Sequence, residues 1–198
     1  MIVLDVETTG LDMKKNSIVS IGAVDFSSPS NMFYKECKIR EGSEIDPYAL
    51  KVNGFTVEQV TDPKKETPQK IIGDFVEWSK KIEDKTIAGQ CVYLDMYYLF
   101  GSFAAKEVQQ FFGYRVIDMH SLAYYDHLLH GFAPPIKDGK SDMSANRIFM
   151  YVGIGKEPDP HNALTGAKMN SEAISRMLYG KNLLDEFKEF EIPDYLKK

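Results

Sequence analysis

The sequence predicts an α/β protein, a mixed sheet flanked by helices, on three observations. Three strand-like runs stand close together at the N-terminus with short polar turns between them, and strands so connected pair as an antiparallel meander. From about residue 67 onward helical and strand-like patterns alternate, which calls for parallel strands joined by crossover helices. Hydrophobic residues at 43% and charged residues at 27% of 198 positions suit one folded domain with a full core.

The strands are MIVLDV from residue 1, SIVSIGAVDF from 17 and NMFYKECKI from 31, each rich in β-branched or aromatic residues. The stretch from Arg40 to Glu66 reads as loop, punctuated by Pro47, Gly54 and Pro63. Thr67 followed by Pro68 is a cap with proline at the first helical position. Ile71, Ile72, Phe75, Val76 and Ile82 then recur at helical spacing, an amphipathic helix. TIAGQ from 86 is a short strand, Val92 to Ala105 a helix, YRVID from 114 a strand, and Met119 to Leu129 a helix. Residues 131–142 mix proline, glycine and charge and read as a loop. A helix starts at Ser144, and a long one runs from about Ala163 to Tyr179 before a charged tail. The division expected is a domain over 1–180 and a C-terminal helix and tail over 181–198.

Cys37 and Cys91 are the two cysteines, far apart and without a CxxC spacing, so neither a thiolate metal site nor a disulfide framework is indicated. The N-terminus lacks a positive leader, and no apolar run is long enough to span a bilayer. The expectation is a cytoplasmic protein with no membrane partner. A net charge of -5 argues against a broad basic surface that coats duplex DNA. It leaves open an enzyme that holds phosphates through metal ions in an acidic pocket.

Three places carry candidate chemistry. Asp5 and Glu7 close the first strand and, two residues apart, share one face of it. Two carboxylates side by side repel unless a cation lies between them, and hard ions such as Mg²⁺ take such oxygen ligands. Alone, a D-x-E at a strand end is as readily solvated surface, but the following Thr8, Thr9, Gly10 and Leu11 form a tight turn whose free N–H groups let a substrate approach. Asp95 is a lone acid among Tyr93, Leu94, Met96 and Leu99, which leave little polar face, and a buried acid needs a partner. His161 precedes the long helix; alone, such a histidine is more often structural.

Taken together, DVETTGL at 5–11, the AGQ element running on to Asp95, and HNALTGA at 161–167 resemble the motifs of the DEDDh 3′ to 5′ exonucleases. That is the family of the proofreading epsilon subunit of bacterial DNA polymerase III. IDPYALKVNGFTVEQV at 45–60 is also similar to that family's segment between the first two motifs. The resemblance implies a ribonuclease H-like fold and a two-metal hydrolysis, with Mg²⁺ or Mn²⁺, at the 3′ end of single-stranded DNA or RNA. By that implication Asp5 bridges both ions, Glu7 binds the tighter one, Asp95 supports the second through water, and His161 takes a proton from the attacking water. The turn Thr8, Thr9, Gly10 and Leu11 receives the terminal nucleotide. A polymerase or another protein stays open as a partner, as does base stacking on Phe55, for which a core role is the simpler reading.

The sequence departs from the family at one point. The family's fourth acid follows the histidine by five positions, where this chain has Gly166. Asp159 and Glu172 are the nearest acids in sequence and neither is placed to replace it, so impaired hydrolysis is expected. Glycine is an awkward residue inside a helix, and nothing local needs a positive φ there, so the position reads as a substitution. The alternative is a non-catalytic module that binds 3′ ends or a protein through the same pocket.

Overall fold

A computed structural model describes residues 1–101 and 105–198. Strands β1 (Ile2–Thr8), β2 (Ile18–Asp25) and β3 (Met32–Glu36) form the meander, as their spacing predicts. Helices α1 (Pro47–Asn53), α2 (Val57–Thr61) and α3 (Pro68–Ser79) follow, then β4 (Ile87–Gly89), α4 (Tyr93–Gly101), α5 (Ala105–Phe112), β5 (Val116–Asp118) and α6 (Met119–Leu129). A small hairpin, β6 (Ile136–Lys137) and β7 (Lys140–Ser141), leads to α7 (Ala145–Tyr151) and α8 (Ala163–Tyr179). The main sheet has the order β3-β2-β1-β4-β5. Its first three strands are antiparallel, and β4 and β5 run parallel to β1.

The sheet separates two cores, and the alternation of β1 assigns its side chains between them. Ile2 and Leu4 join Ile71, Ile72 and Phe75 of α3 and Leu99 of α4 on one face. Met1 and Val3 join Met119 of α6, Ile148 of α7 and Ile174 of α8 on the other. Strand β2 is buried along its whole length because both faces are covered. Gly22 permits the closest contact: a Cβ there would overlap the backbone of Ala163 and Leu164, so the start of α8 lies directly on the sheet.

Capping fixes where the helices begin. Thr67 accepts from the Lys70 N–H at 3.3 Å ahead of α3. Asn162 accepts from the Leu164 and Thr165 N–H groups at 3.0 and 3.2 Å ahead of α8. The stretch between Arg40 and Glu66, which reads as loop in the sequence, contains α1 and α2. Each has fewer than two full turns, too few for a helical period to register, and their caps are the available signal. Asp46 accepts from the Tyr48 N–H at 2.8 Å, and Thr56 and Gln59 form a reciprocal capping box. The loop at 131–142 contains the β6–β7 hairpin, turned at Asp138-Gly139. The helix expected from Val92 to Ala105 runs as α4; residues 102–104 lie outside the described residues, and α5 follows, which the sequence pattern does not reveal.

The C-terminal segment has two 3₁₀ turns, Asp185–Phe187 and Asp194–Leu196, where the sequence suggests a helix, and Leu184, Phe187 and Leu196 are buried in the α8-side core. Arg176 of α8, fully buried, holds that segment: it pairs with Glu172 at 2.8 Å and donates to the carbonyls of Phe187 and Phe190 at 3.1 and 2.9 Å. Among the described residues no helix is long and apolar enough to cross a membrane.

Candidate active site

The pleat that places Val3 toward α8 places Asp5 and Glu7 on the same face, two and four residues further along β1. They lie beyond Ile2 and Val3, the residues at which β4 pairs, so the sheet opens on that side just where the acids begin. Asp95 enters from the first turn of α4. Its side chain accepts the backbone N–H of Val6 at 3.1 Å, tying α4 to β1. Asp118, at the end of β5, accepts the Val92 N–H at 3.0 Å and holds the start of α4 from the other side. Asn53 of α1 donates to the Thr8 carbonyl at 3.0 Å and fixes the turn that follows Glu7.

The three acids form a site of concentrated negative charge under heavy desolvation. Burial, then repulsion from Asp95, Glu7 and Glu157, raises the Asp5 carboxyl well above the usual range. Burial, followed by the Glu157 charge, pushes Glu7 up to about 8 against a weaker opposing bond from Asn53. Asp95 is raised well above its ordinary value too, by burial foremost, although the Val6 N–H favours its charged form. Among the described residues no lysine or arginine charge offsets these groups. Nor do any three His, Cys, Asp or Glu side chains among them converge tightly enough to enclose one ion.

His161 lies just outside α8, one residue before the cap Asn162, ahead of the helix as its sequence position predicts. Its backbone N–H donates to the Val52 carbonyl at 2.9 Å, which seats it beside the end of α1. Its ring Nδ1 stands 3.7 Å from Glu157 Oε2, and Nε2 stands 3.9 Å from Asp159 Oδ1. Glu157, 3.7 Å from the imidazole, is also the acid whose charge acts on both Asp5 and Glu7. No sequence pattern singles out Glu157. It lies in a glycine- and proline-rich loop with no helical or strand period, and its one signal there is an acid four residues before a candidate histidine.

Gly166 faces the same centre. A Cβ on it would lie 2.8 Å from Asp5 Cγ and closer still to Oδ2, so the Asp5 carboxylate fills the space a side chain would take. The backbone at 166 has no positive φ, as expected; what the absent side chain relieves is the close approach of α8 to the Asp5 carboxylate. Of the two nearest acids in sequence, Asp159 has a side chain 95% exposed. Glu172 is fully buried and committed to Arg176 and to the N–H groups of Leu183 and Leu184.

The turn after Glu7 is tightly built. Thr9 is buried, its hydroxyl donating to the Glu44 carbonyl at 2.8 Å and accepting the Ser17 N–H at 3.0 Å. Thr8 donates to the Gly10 carbonyl at 2.8 Å, and the Tyr98 hydroxyl donates to that same oxygen. Gly10 has φ +152° and no room for a Cβ against Asn16. Leu11 is 79% exposed and projects from the turn. Phe55 packs against Val19, Leu50 and Val60, with the Lys65 ammonium 5.1 Å from its ring centre.

The sheet order and the acids at the open end of its first strand define a ribonuclease H-like protein. Within that class the sequence from residue 2 to residue 172 matches the RNase T exonuclease model, and the chain belongs to this exonuclease family. Solved structures agree in fold. The nuclease domain of 3′hExo, described as a DEDDh family member bound to rAMP, matches with a TM-score of 0.67 at 13% identity, over 98% of this chain and 95% of that one. A 3′-exonuclease that recognises the 3′ end of a histone mRNA stem-loop matches at TM-score 0.67 and 13% identity, over 92% of this chain and 64% of that one. E. coli Exonuclease I, in complex with a dT13 oligonucleotide, matches at 0.66 and 16% identity, over 88% of this chain and 40% of the larger protein. No curated protein matches the sequence.

Proposed function

We propose that this chain is a metal-dependent 3′ to 5′ exonuclease that removes nucleoside monophosphates from single-stranded DNA or RNA. The observation that carries the reading is the set of carboxylates, Asp5 and Glu7 half-buried and Asp95 buried, with no cationic side chain among the described residues to balance them, in a chain of an exonuclease family. Such a donor set fits two Mg²⁺ or Mn²⁺ ions: the ligands are hard oxygens, and divalent charge relieves both their repulsion and the cost of their burial.

Bound there, two such ions stabilise the attacking and leaving oxygens of a phosphodiester together. The chain's own residues supply the rest. Asp5 and Glu7 would hold the ions from one face of β1, and Asp95, anchored on the Val6 N–H, would support the second from α4. His161, 30% exposed at the rim, takes the proton of the attacking water. Thr8, Thr9, Gly10 and Leu11 receive the terminal nucleotide, through backbone groups where Thr9 is concerned, since its hydroxyl is already used, and through apolar contact at the exposed Leu11. Two free cysteines, one buried and one half-buried, accord with a reducing, cytoplasmic setting.

Gly166 favours a second reading, a module that binds 3′ ends or a protein without cutting. A 3′-terminal single strand, labelled at its 5′ end, separates the two when incubated with Mn²⁺ or with EDTA. Stepwise shortening from the 3′ end with Mn²⁺, lost in EDTA and in Asp5→Ala, is expected. Binding and retention of the intact strand by this chain in the presence of Mn²⁺ would support the binding module instead.

A further inference from the structure

We infer that Glu157 supplies the fourth carboxylate of the metal centre, from the loop before His161, in place of a side chain at position 166. The inference rests on the metal-dependent reading above and deepens it.

Glu157 has a side chain only 8% exposed, on a loop that is otherwise largely at the surface. Its Oε1 is buried and has no hydrogen-bond partner among the described residues. A carboxylate oxygen left desolvated and unpaired is unfavourable unless something absent from the polypeptide completes it. His161 does not: at 3.7 Å its Nδ1 is beyond hydrogen-bond reach of Oε2. The loop is held where it is, since the Glu157 N–H donates to Asn146 Oδ1 at 2.8 Å. Its charge is felt by the two β1 acids, and it is the chief charge acting on Glu7.

Gly166 bears on the same point. With no side chain at 166, the Asp5 carboxylate lies flat against α8, in the space that an acid at 166 would need. A fourth oxygen donor would then come from another side, and Glu157 is a buried acid 3.7 Å from the His161 ring whose charge acts on Glu7. With Glu157 as a ligand, the loss of an acid from α8 does not leave the centre one ligand short.

Mn²⁺ binding to the full chain, followed by calorimetry or by the EPR signal of free Mn²⁺, tests this without reference to turnover. Glu157→Gln keeps the shape and removes the charge; it is expected to weaken Mn²⁺ binding about 10- to 100-fold, at least the loss that follows from removing a partner of a metal ligand. Glu157→Ala should do the same, and Asp5→Ala should abolish binding. If both Glu157 variants bind Mn²⁺ as the parent does while Asp5→Ala does not, Glu157 is no ligand and the metal-centre reading stands. Glu157 is equally excluded as a ligand if its variants melt at lower temperature but the folded molecules bind normally. A parent chain that binds no Mn²⁺ overturns both.

Discussion

The carboxylate of Asp5 and the bare Cα of Gly166 share one space: a Cβ at 166 would come within 2.8 Å of Asp5 Cγ. Helix α8 meets β1 at that point without a side chain between them, and the position of the first acid depends on it. Gly166→Ala isolates the effect. In an ordinary helix the change would stabilise by about 1 kcal/mol, but forcing a methyl group into a filled site costs about 1–3 kcal/mol. The overlap should win, giving a lower urea midpoint and weaker Mn²⁺ binding as Asp5 turns aside. A variant more stable than the parent by the full helix-propensity gain would show that Asp5 moves freely.

The same crowding of acids sets a pH dependence in metal-free protein. Glu7 is pushed up to about 8 in the fold, chiefly by burial and then by Glu157, from an ordinary 4.5. Between those values the folded chain holds a proton that the unfolded chain has lost, so stability falls as pH rises through the window. Asp5 and Asp95, also raised, act in the same direction. Asp84 is held down to about 2, mainly by the Thr86 backbone N–H; it acts in the opposite sense, but only below its ordinary 3.8. Thermal melts in EDTA should therefore give a lower Tm at pH 8 than at pH 5, and Mn²⁺ should raise the pH 8 value most. Equal melting temperatures in EDTA would mean that the acids are not buried together.

His161 can be separated from the ligands by what its loss spares. With Nδ1 3.7 Å from Glu157 and its ring at the rim, it is placed to accept a proton rather than to hold an ion. His161→Ala should lower kcat about 10²- to 10⁴-fold, the usual worth of a general base, while Mn²⁺ affinity changes less than about twofold. A large fall in Mn²⁺ affinity would instead make the imidazole a ligand.

How far these features can be read from sequence depends on whether they have a period or a cap. The start of α8 is legible because Asn162 caps it and its apolar residues recur, and the shared face of Asp5 and Glu7 follows from strand alternation alone. Asp95 is legible as a lone acid in an apolar helix, but its bond to Val6 spans 89 residues and no local pattern reports it. Helices α1 and α2 escape notice because two short turns give no repeat. Glu157 escapes for a related reason: what defines it is burial by elements distant in sequence, and a loop carries no periodicity from which burial could be inferred.

The last prediction concerns what anchors α8, and through it the centre. Arg176 is fully buried, pairing with Glu172 at 2.8 Å and donating to the carbonyls of Val152 at 2.9 Å, Phe187 at 3.1 Å and Phe190 at 2.9 Å. Arg176→Met keeps much of the volume but strands the Glu172 charge and removes donors from three carbonyls. A buried pair broken on one side costs about 3–5 kcal/mol, and that loss is expected in urea denaturation. Adding Glu172→Leu removes the stranded charge, so the double variant should recover part of the loss, but not all, because the carbonyls of Val152, Phe187 and Phe190 still lack their donor and the N–H groups of Leu183 and Leu184 lose their acceptor. Full recovery would mean that the charge pair alone matters. A single variant within about 0.5 kcal/mol of the parent, the range of ordinary surface substitutions, would mean that the C-terminal segment is held by its apolar contacts at Leu184, Phe187 and Leu196 and not by Arg176.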